Sequence, residues 1–398
     1  MNGMVIIGAG ECGTRAAFAL REQGYDGPVT LIGAEAGLPY ERPPLSKPDG
    51  GQAIRKPICE QAALDAAGID YRPGMSVEAI DRQTRTLTLT GGSLAYDRLL
   101  IATGARPRRL SCPGAKLALD FRTHADASAV LVAATGPVAI IGAGLIGMEL
   151  AALLRGRGIK VTVIEAGPAP LSRAVPPHLA TALHDRHIAE GVDFHFGQGI
   201  ARIDPNGVTL ASGDHVAAGL VISAIGVTPD TALAQTAGLA TGNGILTDAR
   251  LATSDPAIFA AGDCAAFAQP GGGHMRLESW RNARDQAQTA ARNMLGGTED
   301  FAALHWFWSD QYDLGLQVVG LPQSGQEMVT RPLGDGQISF YLADGLLVAA
   351  AGLGPGNSIA RDIRLAEMLI AAGSRPDPKV LADPAVGLKA LLKTARAA

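Results

Sequence analysis

Val5–Ile6–Ile7–Gly8–Ala9–Gly10–Glu11–Cys12–Gly13 is the stretch whose reading decides the fold. A short apolar run meets three glycines spaced G-x-G-x-x-G, and a helix-compatible run from Thr14 to Gln23 follows. A strand, a tight turn and a helix N-terminus in that order present backbone N–H groups to a pyrophosphate. Gly8 permits the turn, Gly10 lets the backbone approach the phosphates, and Gly13 lets helix pack on strand.

The pattern recurs at Gly142–Ala143–Gly144–Leu145–Ile146–Gly147, between the strand Val138–Ile141 and a helix running from Met148 to Gly156. Each glycine unit is followed by a second apolar strand and an acid. Glu35 stands just beyond Val29–Ile32, 22 residues after Gly13, and Glu165 ends Val161–Ile164, 18 residues after Gly147. An acid at that distance accepts hydrogen bonds from ribose hydroxyls. No arginine follows Glu165 directly, so the second unit favours NADH over NADPH. Two dinucleotide sites in one chain are therefore expected.

Further segments suit a bound cofactor. Pro39–Lys47 holds three prolines within six residues, at 39, 43 and 44, so it forms a stiff loop rather than a helix or central strand. Lys47 at its end reads either as a fixed charge beside a cofactor or as a solvated surface lysine. Arg98–Ile101 runs into Ala102–Thr103–Gly104, and Leu220–Ser223 runs into Ala224–Ile225–Gly226. The strand Ile258–Ala260 leads to Gly262–Asp263, placing Asp263 at a carboxyl end, where ligands bind in open α/β sheets. Ser279 is a candidate N-cap for a helix from Arg281 to Leu295 whose small face is Ala283, Ala287, Ala290 and Ala291. Trp280 reads as core aromatic or as stacking plate. Beyond residue 309 come strand-like runs near 316–319, 327–330, 337–342 and 346–350, a hairpin at Ala343–Asp344–Gly345, and a helix from Arg361 to Ala371 capped by Ser358 or Asn357. Trp306–Asp313, with two of the three tryptophans, reads equally as an interdomain seal or a partner surface.

The expected architecture is α/β: two Rossmann-like dinucleotide-binding domains plus a C-terminal α+β domain. Residues 1–109 and 231–308 form the first, discontinuous domain, 110–230 the inserted second, and 309–398 the third. A chain of 398 residues with 47% hydrophobic and 18% charged residues has the composition for several buried cores. A net charge of −4 without a basic arm argues against nucleic acid. No apolar run reaches the ~18 residues of a membrane span, and the start of the chain shows no signal-peptide pattern, so a soluble cytoplasmic protein is expected. Cys12, Cys59, Cys112 and Cys264 form neither a C-x-x-C redox pair nor a zinc-binding spacing, and no metal site is expected.

These motifs in this order resemble the two-dinucleotide-domain flavoproteins of glutathione-reductase type. More closely, the chain is similar to the oxygenase-coupled NADH–ferredoxin reductases of the putidaredoxin reductase and biphenyl dioxygenase reductase type. The resemblance covers essentially the whole chain and rests on LPYERPPLSK at 38–47, AIGVTP at 224–229, TSDPAIFAAGDC at 253–264 and WFWSDQYDL at 306–314. It implies FAD on Gly8, Gly10, Cys12, Gly13, Glu35, Arg42, Lys47, Val77, Ala102, Thr103, Gly104, Arg122, Gly262, Asp263 and Trp280. Many members carry the ribose acid one place earlier, where this chain has Ala34. Members also vary at the position of Trp280. The resemblance implies NADH on Gly142, Gly144, Leu145, Ile146, Gly147, Glu165, Ala224, Ile225 and Gly226, with Lys47 and Glu149 as the catalytic pair.

The implied activity passes hydride from NADH to FAD, then single electrons to a [2Fe–2S] ferredoxin that feeds a Rieske oxygenase or cytochrome P450. The enzyme would act as a monomer or homodimer. An acidic ferredoxin would dock on a basic surface including some of Arg42, Arg276, Arg281 and Arg284. Rubredoxin or monodehydroascorbate reduction on the same fold is an alternative. An NADH-sensing flavoprotein with an interaction role is another. Disulfide, peroxide and coenzyme A disulfide reduction need a cysteine near the flavin, and residues 35–47 contain none.

Overall fold

The computed structural model describes residues 2–47, 51–302 and 304–397. The chain forms two compact units, one from Met1–Leu45, Ile54–Arg106 and Val227–Ala303, the other from Ser46–Ala53, Pro107–Gly226 and Leu304–Ala398.

The first unit is built on a five-stranded parallel sheet in the order Ile258–Ala260, Arg98–Ile101, Met4–Ile7, Val29–Gly33, Ile69–Pro73. Its inner strands are apolar at nearly every position because both faces are covered. Alternate side chains divide between those faces. Ile6, Leu31 and Leu100 join a cluster with Ala16, Ala17 and Leu20 of the helix Glu11–Glu22 and Ala287, Ala290 and Ala291 of the helix Trp280–Met294. Val5, Ile7, Ile32, Leu99 and Ile101 point the other way, onto Ile80, Leu87 and Leu89 of a three-stranded antiparallel sheet. The two helices pack closely through their alanines, so a leucine at Ala287 would overpack the seam at a cost of about 1–3 kcal/mol. Ser279 caps the second helix as expected, its hydroxyl accepting from Asn282 N at 3.2 Å.

The second unit repeats this plan. Its parallel sheet runs Asp193–Phe196, Val161–Glu165, Val138–Ile141, Leu220–Ser223, Ala118–Asp120. A three-stranded antiparallel sheet, Ile200–Asp204, Gly207–Leu210 and His215–Ala217, covers one face through Ile203, Val208 and Leu210. The same unit contains a five-stranded antiparallel sheet in the order Trp306–Gln311, Leu314–Gly320, Leu346–Pro355, Gly336–Ala343, Glu327–Leu333. One face of it shares a cluster with the glycine-bearing module, where Phe307, Leu316 and Val318 meet Met148, Leu150 and Leu179. The other face carries the helix Ala360–Ala371.

Two sequence expectations change here. Trp306–Gln311, for which no strand is expected from the sequence, is an edge strand. Its inward positions are Phe307, Ser309 and Gln311, and two of these are polar, which hides the alternation. The cap of the helix at Ala360 is neither Ser358 nor Asn357. Tight turns, Ser358 N to Pro355 O and Ala360 N to Asn357 O, lead the chain into the helix, and the N-cap is Ile359 without a side-chain cap bond.

Candidate dinucleotide sites and the Glu149 cluster

Both glycine turns have the same local construction. Gly8 and Gly142 take φ of 107° and 106°, a region that L side chains avoid. A Cβ on Gly8 would lie 2.2 Å from Ala102 O, and one on Gly142 2.5 Å from Ala224 O. A Cβ on Gly13 would lie 1.8 Å from Gly8 O, and one on Gly147 2.0 Å from Gly142 O. Gly10 and Gly144 differ from these. Each is the N-cap of its helix, without a side-chain cap bond, and a Cβ there would meet nothing within 4 Å. Space is left open at the uncapped amide end of each helix, which fits an anionic pyrophosphate.

The acids that follow the two turns are held differently. Glu165 accepts from Ala143 N at 2.8 Å and from Gly167 N at 2.7 Å, so its carboxylate is tied to the glycine turn. Glu35 accepts from Tyr40 OH at 2.5 Å and pairs with Arg42 at 2.9 Å.

Around the first turn, Gly262 (φ 81°) leaves room for Cys12, whose Cβ would be 3.1 Å from an added Cβ. Gln286 Oε1 accepts from Gly262 N at 2.7 Å, which fixes the three-residue 3-10 turn Gly262–Cys264 that carries Asp263. Thr103 Oγ1 donates to Asp230 O at 2.7 Å, beside the left-handed Gly104. Burial pushes the Cys12 thiol well above its ordinary range, with Cys264 and Asp263 adding to the shift, and burial also raises Cys264. Both are packed, protonated thiols. Val77 opens the strand Val77–Asp81, and Trp280 opens its helix, with the Arg284 guanidinium 5.6 Å from the centre of its ring.

The structure thus gathers Gly8, Gly10, Cys12, Gly13, Glu35, Arg42, Val77, Ala102, Thr103, Gly104, Gly262, Asp263 and Trp280 in the first unit, while Lys47 and Arg122 lie in the second. Arg122 N donates to Asp126 Oδ2 at 3.1 Å just before the helix His124–Ala133. Leu145 and Ile146 begin the second helix, and Ile146 is exposed at the open turn. Gly226 is left-handed (φ 94°) and accepts from Arg108 N through its carbonyl at 3.0 Å. The expected basic face is largely neutralised. Arg42 pairs with Glu35, Arg276 with Glu278 and Arg281 with Asp285, and the Arg276 side chain is only 7% exposed.

Lys47 and Glu149 do meet. Lys47 Nζ lies 3.4 Å from Glu149 Oε2 and 3.7 Å from Asp310 Oδ2. Ser46 Oγ donates to Glu149 Oε2 at 2.5 Å, and Ser309 Oγ donates to Oε1 at 2.7 Å. The buried carboxylate accepts on both oxygens, as a buried charge requires. Neither serine stood out in the sequence, although both lie inside stretches that carry the resemblance.

A family model described as pyridine nucleotide-disulphide oxidoreductase matches residues 3–287. The chain belongs to that family. A second model, described as reductase C-terminal, matches residues 306–392. Among curated relatives, this oxidoreductase is 42% identical to the ferredoxin–NAD(+) reductase component of the anthranilate 1,2-dioxygenase system of Burkholderia cepacia, over 98% of each chain. Its structure matches the ferredoxin reductase for the CYP199A2 system from Rhodopseudomonas palustris with a TM-score of 0.93 at 34% identity, covering 99% of this chain and 100% of that one. It matches a covalent putidaredoxin reductase–putidaredoxin complex with a TM-score of 0.92 at 31% identity, covering 100% and 99%. These likenesses agree with the resemblance drawn from the motifs. Like its family, the oxidoreductase uses FAD and NADH. No helix among the described residues is long and apolar enough to cross a membrane.

Proposed function

We propose that this chain is the NADH-dependent flavoprotein reductase of an oxygenase system, delivering electrons to a [2Fe–2S] ferredoxin in the cytoplasm. The observation that carries this reading is the pair of open glycine turns in a chain whose thiols at the first turn are buried and protonated rather than poised as a disulfide relay. When bound, FAD supplies the conversion between a two-electron donor and a one-electron acceptor.

The chain's own groups bind and orient. Gly8, Gly10, Gly13 and the uncapped amides of the first helix would hold the FAD pyrophosphate, with Glu35, Ala102, Thr103, Gly104 and Asp263 along the rest of the cofactor. Gly142, Gly144 and Gly147 would hold that of NADH, with Glu165 accepting from the adenosine ribose hydroxyls and disfavouring a 2′-phosphate. Lys47, steadied by Glu149 and Asp310, would offer a fixed positive charge to bound FAD. Four unpaired cysteines suit a reducing compartment.

The test is reconstitution. FAD-loaded protein with NADH should reduce cytochrome c rapidly only when a [2Fe–2S] ferredoxin is added; an equal rate without ferredoxin would overturn the reading. Lys47→Met should slow flavin reduction by NADH about tenfold or more in stopped flow, the scale of losing a placed electrostatic group. An unchanged rate would make Lys47 a loop residue only.

A further inference from the structure

Behind Glu149 lies a buried hydrogen-bonded row that the reaction as described does not use. Ser309 Oγ, which donates to Glu149 Oε1 at 2.7 Å, accepts from Gln311 Nε2 at 3.1 Å. Gln311 Oε1 lies 2.9 Å from His187 Nε2, and His187 Nδ1 lies 3.1 Å from Tyr312 OH. His187 is wholly buried and Gln311 is 1% exposed. The row joins the helix Pro177–Ala189 to the edge strand Trp306–Gln311, and Ser309 and Gln311 share the inward face of that strand.

Each bond in the row has a single sense. The Gln311 amide nitrogen donates to Ser309, so its oxygen is the acceptor turned to His187. His187 must therefore carry its proton on Nε2 and accept from Tyr312 on Nδ1. Burial holds His187 down at about 4 and Tyr312 up at about 12, so around neutral pH one is an uncharged imidazole and the other a phenol. The Tyr312 ring is fixed from outside by Arg186, whose guanidinium lies 4.9 Å from the ring centre and which bonds Glu190 and Asp313. Because Ser309 already accepts from Gln311, its one hydrogen is committed to Glu149.

We infer that Gln311 and His187 are positioning residues. They fix the direction of the Ser309 hydroxyl, which holds the Glu149 carboxylate, which in turn places Lys47. The inference rests on the proposed role of Lys47 and Glu149. Its distinguishing feature is polarity. A group at 311 that only accepts would draw the Ser309 hydrogen away from Glu149, while an apolar group of the same length would leave that hydrogen available.

The test compares Gln311→Glu with Gln311→Met in the FAD-loaded protein. Both variants should keep bound FAD and an NADH Kd within about threefold of the parent. The limiting rate of flavin reduction should fall about tenfold or more in Gln311→Glu and clearly less in Gln311→Met, because misplacing a catalytic group costs rate more than binding. Nitrogen-15 NMR of the imidazoles, without NADH, should show His187 as the neutral Nε2–H tautomer in the parent and protonated near neutral pH in Gln311→Glu. Parent His187 protonated on Nδ1 would overturn the inference, as would equal rate losses in the two variants tracking equal losses of Tm. If both variants keep the parent rate while Lys47→Met and Glu149→Gln are slow, the row is structural and the site reading survives. If Lys47→Met and Glu149→Gln also keep the parent rate, the site reading itself falls.

Discussion

The two glycine turns share a backbone and differ in their surroundings. Gly8 and Gly142 agree within one degree in φ, and Gly10 and Gly144 leave the same open space. The first turn carries Glu11 where the second carries Leu145, and the charge of Glu11 is matched by Arg15 one helical turn on, at 2.9 Å. The acid of the second turn is bonded to the turn itself through Ala143 N, whereas that of the first is paired with Tyr40 and Arg42. The shared features come from steric limits that act on the backbone alone. On the proposed division of the cofactors, it is the acids and their neighbours that would tell the two turns apart. On that proposal, a carboxylate fixed by two amides would meet ribose hydroxyls already in place, while one paired with a half-exposed arginine would exchange partners on binding.

Four substitutions in two matched pairs, and then a pair of acids, would break or sharpen this comparison. The largest effect belongs to the third glycines. Gly13→Ala and Gly147→Ala would each force a methyl into a backbone carbonyl, costing about 3 kcal/mol or more, at or above the upper end of ordinary overpacking. Thermal unfolding should show a lower Tm in both, and an unshifted Tm in either would mean that its turn is looser than its twin. Next come the middle glycines, whose methyl meets no protein atom. Gly10→Ala should leave the Tm of the apoprotein within about 2 °C, the shift expected of less than 1 kcal/mol, yet lose FAD on gel filtration. Gly144→Ala should retain FAD and raise the NADH Kd in titration. Loss of FAD from Gly144→Ala would show that the two turns do not divide the cofactors as proposed. The smallest effect separates the acids. Glu165→Gln leaves one turn amide without its acceptor and should weaken NADH about tenfold, the scale of a charge-assisted hydrogen bond, while narrowing the preference over NADPH. Glu35→Gln should change FAD affinity by no more than about threefold, because its ion pair is half exposed. Equal penalties at the two acids would remove tethering as the difference between them.

Much of the fold was legible in local pattern. Glycines at 8, 10 and 13 and at 142, 144 and 147 can be read as turns because only glycine tolerates the φ of the first and the contacts of the third. Ser279 could be read as a cap because its bond reaches only three residues along the chain. Ile359 could not, since the turns that lead into its helix depend on how residues 355–358 are folded back. The edge strand Trp306–Gln311 was hidden for a related reason: Ser309 and Gln311 point inward, and an inward polar residue reads as surface until its partner is known.

By itself, then, the sequence determined two glycine turns and the family, because the turns rest on steric limits of the backbone and the family on short motifs that are each legible locally. Only the tertiary structure decided what surrounds Glu149. Ser46, His187, Ser309 and Gln311 come from three distant segments, and a buried carboxylate takes whichever donors the packed fold brings to it. Their hydrogen bonds are long-range facts. No local period or spacing announces them, because each exists only once the strand and the helix that bear it have packed together.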